Sequence, residues 1–262
     1  CTLTEGARLV VCKPGSMLDM QYMQQLFLDN GVTLMDCVPA FLNVYFTEHT
    51  LPASMRHIEM GGDCLTPALA QTIMQHLGQG VVVNAYGPCE VTIDTHTHKV
   101  RNADCEVGQN RIPIGKPLPN TTGYILDAQQ LPVPIGCAGE LYLGGPKVAR
   151  GYIGRPDLTD KVFAHLVTLP DAGRLYRTGD RVKWLGDGSV DFLGRVDFQV
   201  KLNGQRLETG EIEAVLRGVE GVQDALVTLH KGHGGDRLVA YLVPGGAYEG
   251  AAREACRKAL PG

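Results

Sequence analysis

Acids, bases and glycines crowd into two neighbouring stretches of this chain. The first is Tyr176-Arg177-Thr178-Gly179-Asp180. The second opens Gly194-Arg195-Val196-Asp197-Phe198-Gln199-Val200-Lys201 and runs on to Gly210-Glu211-Ile212-Glu213. A plain structural sheet does not need that density of charge, so the segment points to a polar ligand of nucleotide type. Asp180 follows Thr178-Gly179, where a carboxylate can accept hydrogen bonds from two ribose hydroxyls. Arg195 can reach a phosphate or a carboxylate through its guanidinium fork. The plain alternative is a hairpin with an Asp–Arg surface pair.

A second constellation is Asn84-Ala85-Tyr86-Gly87-Pro88-Cys89-Glu90, directly after the apolar run Val81-Val82-Val83. Gly-Pro forces a turn at a strand's carboxyl end, where parallel sheets place their ligand crevices. An aromatic ring there can stack on a base, and a carboxylate can hold Mg²⁺ through oxygen. The competing reading is a simple turn with Tyr86 packed and Glu90 solvated. Gly139-Glu140-Leu141-Tyr142-Leu143-Gly144-Gly145, leading to Ala149-Arg150-Gly151-Tyr152, reads mostly as a strand and a bend with a structural purpose. Asp94, His96 and His98 alternate and share one face of a strand. That spacing admits a metal, but a solvated strand face is the simpler expectation. His233 reads as a loop residue.

The elements that must position these groups fall into three blocks. Residues 1–111 alternate strand and helix signals. Residues 16–30 carry Leu18, Tyr22, Met23, Leu26 and Phe27 at helical spacing before Gly31. Residues 32–38 read as a strand and residues 40–46 as a helix. Thr66-Pro67 opens a helix through Leu77, with Thr66 as its cap. This alternation predicts a parallel sheet flanked by helices. In residues 112–196 helical periodicity disappears and short alternating runs recur, which predicts an antiparallel, barrel-like β-rich part, with Asp187-Gly188 as a hairpin signal. Residues 197–262 read as a small α+β unit. It has a hairpin about Asn203-Gly204, a helix capped by Thr209, two strands about the turn at residues 233–236, and a last helix over residues 248–260. The fold class is therefore α/β, a larger part with a parallel sheet and a β-rich region followed by a small separate α+β unit. The chain begins at Cys1 and stops at Pro261-Gly262, and it reads as a piece of something longer.

Bulk composition narrows the partners. The formal net charge is −4, whereas a nucleic-acid-binding surface is usually basic. No apolar run approaches the length of a membrane span. Eight cysteines show no CxxC pair and no metal-ligand rhythm, so they read as reduced, mostly buried thiols of a cytoplasmic protein.

In order, Asn-Ala-Tyr-Gly-Pro-x-Glu, Gly-Glu-Leu-Tyr-Leu-Gly-Gly, Tyr-Arg-Thr-Gly-Asp and Gly-Arg-x-Asp-x-Gln-Val-Lys resemble the adenylation domains of nonribosomal peptide synthetases. Those domains belong to the adenylate-forming superfamily. Gln199-Val200-Lys201 and Gly210-Glu211-Ile212-Glu213 favour the peptide-synthetase branch. An acyl- or aryl-CoA ligase, and a non-catalytic scaffold of the same fold, remain as alternatives. The resemblance implies ATP-dependent activation of an amino acid and its transfer to the phosphopantetheine thiol of a carrier protein, beside condensation domains. It assigns Glu90 to Mg²⁺, Tyr86 to adenine, Asn84 to the adenine edge, and Gly87 and Cys89 to the nucleotide loop. It gives Asp180 the ribose hydroxyls, Arg195 ribose or phosphate, and Asp197 the hinge into the small subdomain. Asp36, Glu59, Gly61, Ala85, Ile93 and Asp94 would line the amino-acid pocket; two of the acids Asp36, Glu59 and Asp94 facing the cavity would favour a cationic side chain, and the plainer alternative has Glu59 pointing elsewhere and Asp94 bonded to backbone. Cys89 stands where the family has Thr, and a thiol is the weaker hydrogen-bond partner. The family's phosphate loop would lie upstream and its catalytic Lys beyond the last residue. Lys258 does not match that Lys.

Overall fold

The computed structural model describes residues 3–106, 111–196, 199–202, 205–230, 236–244 and 248–259. Asp197, the Asn203-Gly204 turn and His233 lie outside them. The chain divides into two compact units, Cys1–Gly194 and Arg195–Gly262.

The first unit opens with α1 (Met20–Asn30), which ends at Gly31 in the left-handed conformation. Its cap is Asp19, whose side chain accepts the Tyr22 amide. The helix therefore starts later than the apolar spacing alone predicts. Strand β1 (Leu34–Cys37), helix α2 (Pro39–Tyr45), strand β2 (His57–Met60), helix α3 (Pro67–Leu77) and strand β3 (Val81–Tyr86) follow in strict alternation. Thr66 caps α3 as expected, its hydroxyl accepting the Leu69 amide at 3.3 Å.

Strands β1, β2 and β3 are parallel, with Met35 beside Ile58 and Ile58 beside Val82. Those three side chains face one way, by the two-residue period of a strand. They are buried in one core with Phe27 of α1, Leu42 and Tyr45 of α2, and Ile73 of α3. Strands β4 (His96–Lys99) and β5 (Lys116–Pro117) extend the same sheet antiparallel, so it is mixed rather than wholly parallel.

The β-rich part is a second sheet in which β6 (Thr122–Leu126), β7 (Ala138–Gly144), β9 (Arg174–Trp184) and β10 (Val190–Arg195) are neighbours in the order β10-β9-β7-β6. Strand β8 (Phe163–His165) pairs with β9. One helix interrupts this region, α4 (Pro156–Val162), against the expectation that helices end before it. It is two turns long, too short for an apolar stripe to register in the sequence. The Tyr-Arg-Thr-Gly-Asp motif lies inside the eleven-residue β9. A β-bulge between Glu140 and Tyr142 falls opposite it.

The second unit contains the hairpin β11 (Gln199–Leu202) and β12 (Gln205–Glu208), helix α5 (Thr209–Arg217), the hairpin β13 (Asp224–His230) and β14 (Arg237–Val243), and α6 (Glu249–Ala259). The cap of α5 is Glu208, and Thr209 is the first helical residue, which corrects the expected cap by one position. Lys258 sits in the last turn of α6 and pairs with Glu254. No helix among the described residues is long and apolar enough to cross a membrane.

The described cysteines are not mostly buried, against the expectation. Cys64, Cys89 and Cys137 are exposed, and Cys12, Cys37, Cys105 and Cys256 are half-buried. Apart from Cys256 within α6, they stand on loops or at the margins of elements rather than in a sheet centre.

Replacing Thr66 by Ala removes the α3 cap and is expected to cost about 1 kcal/mol of unfolding free energy. Urea denaturation of the Thr66→Ala chain beside its parent measures it.

Candidate functional site

Parallel order brings the carboxyl ends of β1, β2 and β3 to one side of the first sheet, the usual place for a ligand crevice. Asp36 lies beside Glu59, and Glu59 beside Val83, so both carboxylates rise from the face opposite the helix-packed core. Gly61 continues this edge. A methyl group added to it would stand 3.6 Å from the Ala85 carbonyl, so Gly61 and Ala85 are neighbours.

Beyond β3 the chain turns at Gly87-Pro88 into a short 3-10 helix, Cys89–Val91. Thr92 and Ile93 then take φ values of 55° and 66°. A left-handed backbone is costly for β-branched residues, and two in succession need outside support. Gly87 gives the turn room, because a Cβ there would lie 1.7 Å from the Ile93 carbonyl oxygen. Thr95 ties the turn back to β3. Its amide and its hydroxyl both donate to the Tyr86 carbonyl, at 2.8 and 3.1 Å.

The loop after β7 clasps the same turn from outside. The Ala149 amide donates to the Glu90 carbonyl at 2.8 Å. The Thr92 hydroxyl donates to the Lys147 carbonyl at 2.9 Å, and Lys147 Nζ donates to the Asp94 carbonyl at 2.8 Å. The Tyr152 hydroxyl donates to Glu90 Oε1 at 2.6 Å. Burial, then the hydrogen bond to Glu90, raises the Tyr152 phenol far above its ordinary range. Neither Lys147 nor Tyr152 stands out in the sequence as chemistry, although both lie in the glycine-rich bend after β7.

The two prominent motifs meet inside the molecule. The Tyr86 hydroxyl donates to Asp180 Oδ2. Both residues are buried, Tyr86 at 7% exposed and Asp180 at 4%. The Tyr86 ring lies edge-on to His96 and tilted against Phe192. The Thr178 hydroxyl accepts the Asp180 amide and donates to the Leu141 carbonyl, which fixes this part of β9 on β7. The exposed Asp–Arg surface pair considered from sequence does not describe so buried a carboxylate. Asn84 is buried as well, and its amide donates to the carbonyls of Ile112 and Pro113, at 3.3 and 2.8 Å. Cys89 is exposed on the turn. Arg195 ends β10 and begins the second unit.

Asp36, Glu59 and Asp94 sense one another. Burial and the charge of Asp94 push the Asp36 carboxyl up, and burial with the charges of Asp94 and Asp36 does the same to Glu59. Asp94 is raised by burial, against a lowering by Lys147. Ile93 is 72% exposed, so its side chain contributes little to an enclosed wall.

His96 and His98 share a face of β4, but that face is buried rather than solvated, and Asp94 precedes the strand. Burial lowers the His96 imidazole to about 4, so it is neutral near pH 7. His98 bonds to Asp104 at 2.8 Å. Among the described residues no group of three or more His, Cys, Asp and Glu can hold a metal by itself.

The model of the AMP-binding enzyme family matches residues 1–153, more than half of the chain. The chain belongs to the AMP-binding enzyme family. Within this family it is 42% identical over 246 residues to the phosphinothricin tripeptide synthetase PhsB of Streptomyces viridochromogenes, covering 93% of this chain and 20% of that protein. A four-domain nonribosomal peptide synthetase, holo-AB3403, solved with AMP and glycine, is 37% identical with a TM-score of 0.66, over 88% of this chain and 17% of that one. PA1221, a nonribosomal peptide synthetase protein containing adenylation and PCP domains, is 29% identical with a TM-score of 0.76, over 85% and 45%. The chain thus spans a fifth or less of the length of the first two, and less than half of the third. The ordered motifs resemble adenylation domains, and the solved relatives carry that fold.

The raised carboxylates set a sign for stability. A carboxyl whose folded pKa exceeds its unfolded one binds more protons in the folded state. Its contribution is complete below the ordinary range, near 3.8 for Asp and 4.5 for Glu, and is lost as pH rises through the raised folded value. Glu59→Gln is expected to shrink the fall in stability between mildly acidic and neutral pH. Denaturation midpoints of both chains across that interval test it, and a steeper fall in the variant would refute the coupling.

Proposed function

We propose that the intact protein uses ATP to activate an amino acid as its aminoacyl-adenylate, with release of pyrophosphate, and passes the acyl group to the phosphopantetheine thiol of a carrier domain in nonribosomal peptide synthesis. The observation that carries this reading is the Tyr86–Asp180 hydrogen bond, which joins two motifs 94 residues apart beside the turn that presents Glu90. A carboxylate has about four acceptor sites on its two oxygens, so a phenol and ribose hydroxyls can share it. In the reaction a carboxylate oxygen attacks the α-phosphorus of ATP and the bond to pyrophosphate breaks. The difficulty is electrostatic, since an anion must approach a polyanion.

Glu90 is the residue that would hold Mg²⁺. Its donor chemistry fits, because Mg²⁺ takes one or two carboxylates and draws its other ligands from substrate phosphates and water rather than from an all-protein cage. When bound, the ion offsets the charge of the triphosphate. Arg195 toward ribose or phosphate, and Asp197 as the hinge, rest on the resemblance. So do condensation domains as neighbours. A carrier partner is supported by PA1221, which contains a PCP domain as well as an adenylation domain.

Asp36, Glu59 and Asp94 support an amino acid with a cationic side chain, such as ornithine, lysine or arginine. Three coupled carboxylates answered by the ammonium of Lys147 leave negative charge in excess. An added cation returns their pKa values toward normal, and that coupling favours its binding.

Amino-acid-dependent ATP–pyrophosphate exchange by the intact protein tests both levels. A cationic amino acid is expected to give the largest kcat/KM, and a small apolar winner would refute the assignment of substrate class alone. Asp180→Ala is expected to lower kcat/KM for ATP about tenfold to a hundredfold, the equivalent of about 1.5–3 kcal/mol for hydrogen bonds to a charged group. Undiminished exchange in Asp180→Ala would remove the nucleotide reading.

A further inference from the structure

We infer that Tyr152 is a positioning residue for Glu90, fixing the carboxylate that faces the metal–nucleotide complex; this rests on the reading of Glu90 given above. The Tyr152 hydroxyl donates to Glu90 Oε1 at 2.6 Å, the length of a charge-assisted O–H···O⁻ bond. The same loop holds the Glu90 backbone, through the Ala149 amide on its carbonyl at 2.8 Å. Main chain and side chain are therefore oriented by one segment, residues 149–152.

That segment is itself built to hold Tyr152 still. Its amide donates to Thr159 Oγ1 at 2.9 Å, and the Thr159 hydroxyl donates to the Arg155 carbonyl at 2.9 Å. Gly151, at φ +137°, lets the backbone press against Thr159, since a Cβ there would lie 2.5 Å from Thr159 Cγ2. The Tyr152 ring meets Phe163 edge-on at 5.8 Å. The line of support runs from α4 through Thr159 to Tyr152 and on to Glu90. A glutamate on such a turn would otherwise sample several rotamers, and each metal-binding event would have to select one. With the phenol in place the ordering occurs on folding, as with other outer partners that orient a metal-binding side chain.

The test uses Tyr152→Phe in the intact protein, which keeps the ring against Phe163 and removes only the hydroxyl. Two quantities are read: the Mg²⁺ concentration for half-maximal ATP–pyrophosphate exchange, and, without turnover, Mn²⁺ affinity of the complex with a non-hydrolysable ATP analogue, by electron paramagnetic resonance. Both are expected to weaken about tenfold, with KM for the amino acid unchanged. An equal loss of rate at every Mg²⁺ concentration, with Mn²⁺ affinity unmoved, would overturn the inference in favour of a purely structural tyrosine. Glu90→Gln separates the two levels. If it leaves Mn²⁺ affinity intact, the assignment of Glu90 fails; if it weakens Mn²⁺ binding while Tyr152→Phe does not, only the positioning role fails. Should Tyr152→Phe not fold, Thr159→Val removes the anchor of the loop and keeps the phenol. A smaller shift in the same direction is expected of it, and unchanged Mn²⁺ affinity would again overturn the inference.

Discussion

Two β-branched residues in succession, Thr92 and Ile93, are held in the left-handed region, and much of the site follows from that constraint. Each costs on the order of 1–3 kcal/mol and persists only where its surroundings over-determine it. Here they do, through Gly87 beneath the turn, Thr95 tying it to β3, and Lys147 and Ala149 gripping it from the loop after β7. Glu90 precedes the kink and Asp94 follows it. One turn therefore sets where the carboxylate proposed for the metal stands and where one wall of the proposed amino-acid pocket stands.

A second dependence lies in the interior. Asp180 and Tyr86 come from different sheets, yet a phenol and a carboxylate share one hydrogen bond between them. A buried carboxylate needs hydrogen-bond partners, and the Tyr86 phenol is one that ties the two motifs together. Thr178 donates to the Leu141 carbonyl, which locks β9 to β7 at the same level, and accepts the Asp180 amide within β9. Asn84 acts similarly, its amide bonding to the carbonyls of Ile112 and Pro113 and tying β3 to the segment that leads into β5.

Local signals in the sequence are legible where one element carries its own instructions. Thr66-Pro67 states where α3 begins, and Gly31 where α1 ends, because a cap and a left-handed stop are short-range chemistry. The alternation of strand and helix likewise announces the sheet of β1 to β3. What stays hidden needs contacts distant along the chain. Tyr152 looks like a bend residue until the 62-residue separation from Glu90 is closed. His96 and His98 look solvated because alternation names a face without saying what covers it, and tertiary packing supplies that cover. The two-turn α4 is too short to leave a period. The family motifs are legible because they are ordered text, whereas the clasp joining them is geometry.

The alternation of β1 and β2 has one more consequence. Met35 and Ile58 point into the helix-packed core, while Asp36 and Glu59, one residue along, point away from it. Residues that hold the fold and residues proposed to meet the amino acid are thus interleaved in sequence but separated in space. Asp36 and Glu59 take no part in the core that Met35 and Ile58 pack into. Such a sheet can change the charge it offers a substrate in single steps while keeping its packed face, with the raised carboxyls of Asp36 and Glu59 as the one point where that charge and stability remain linked.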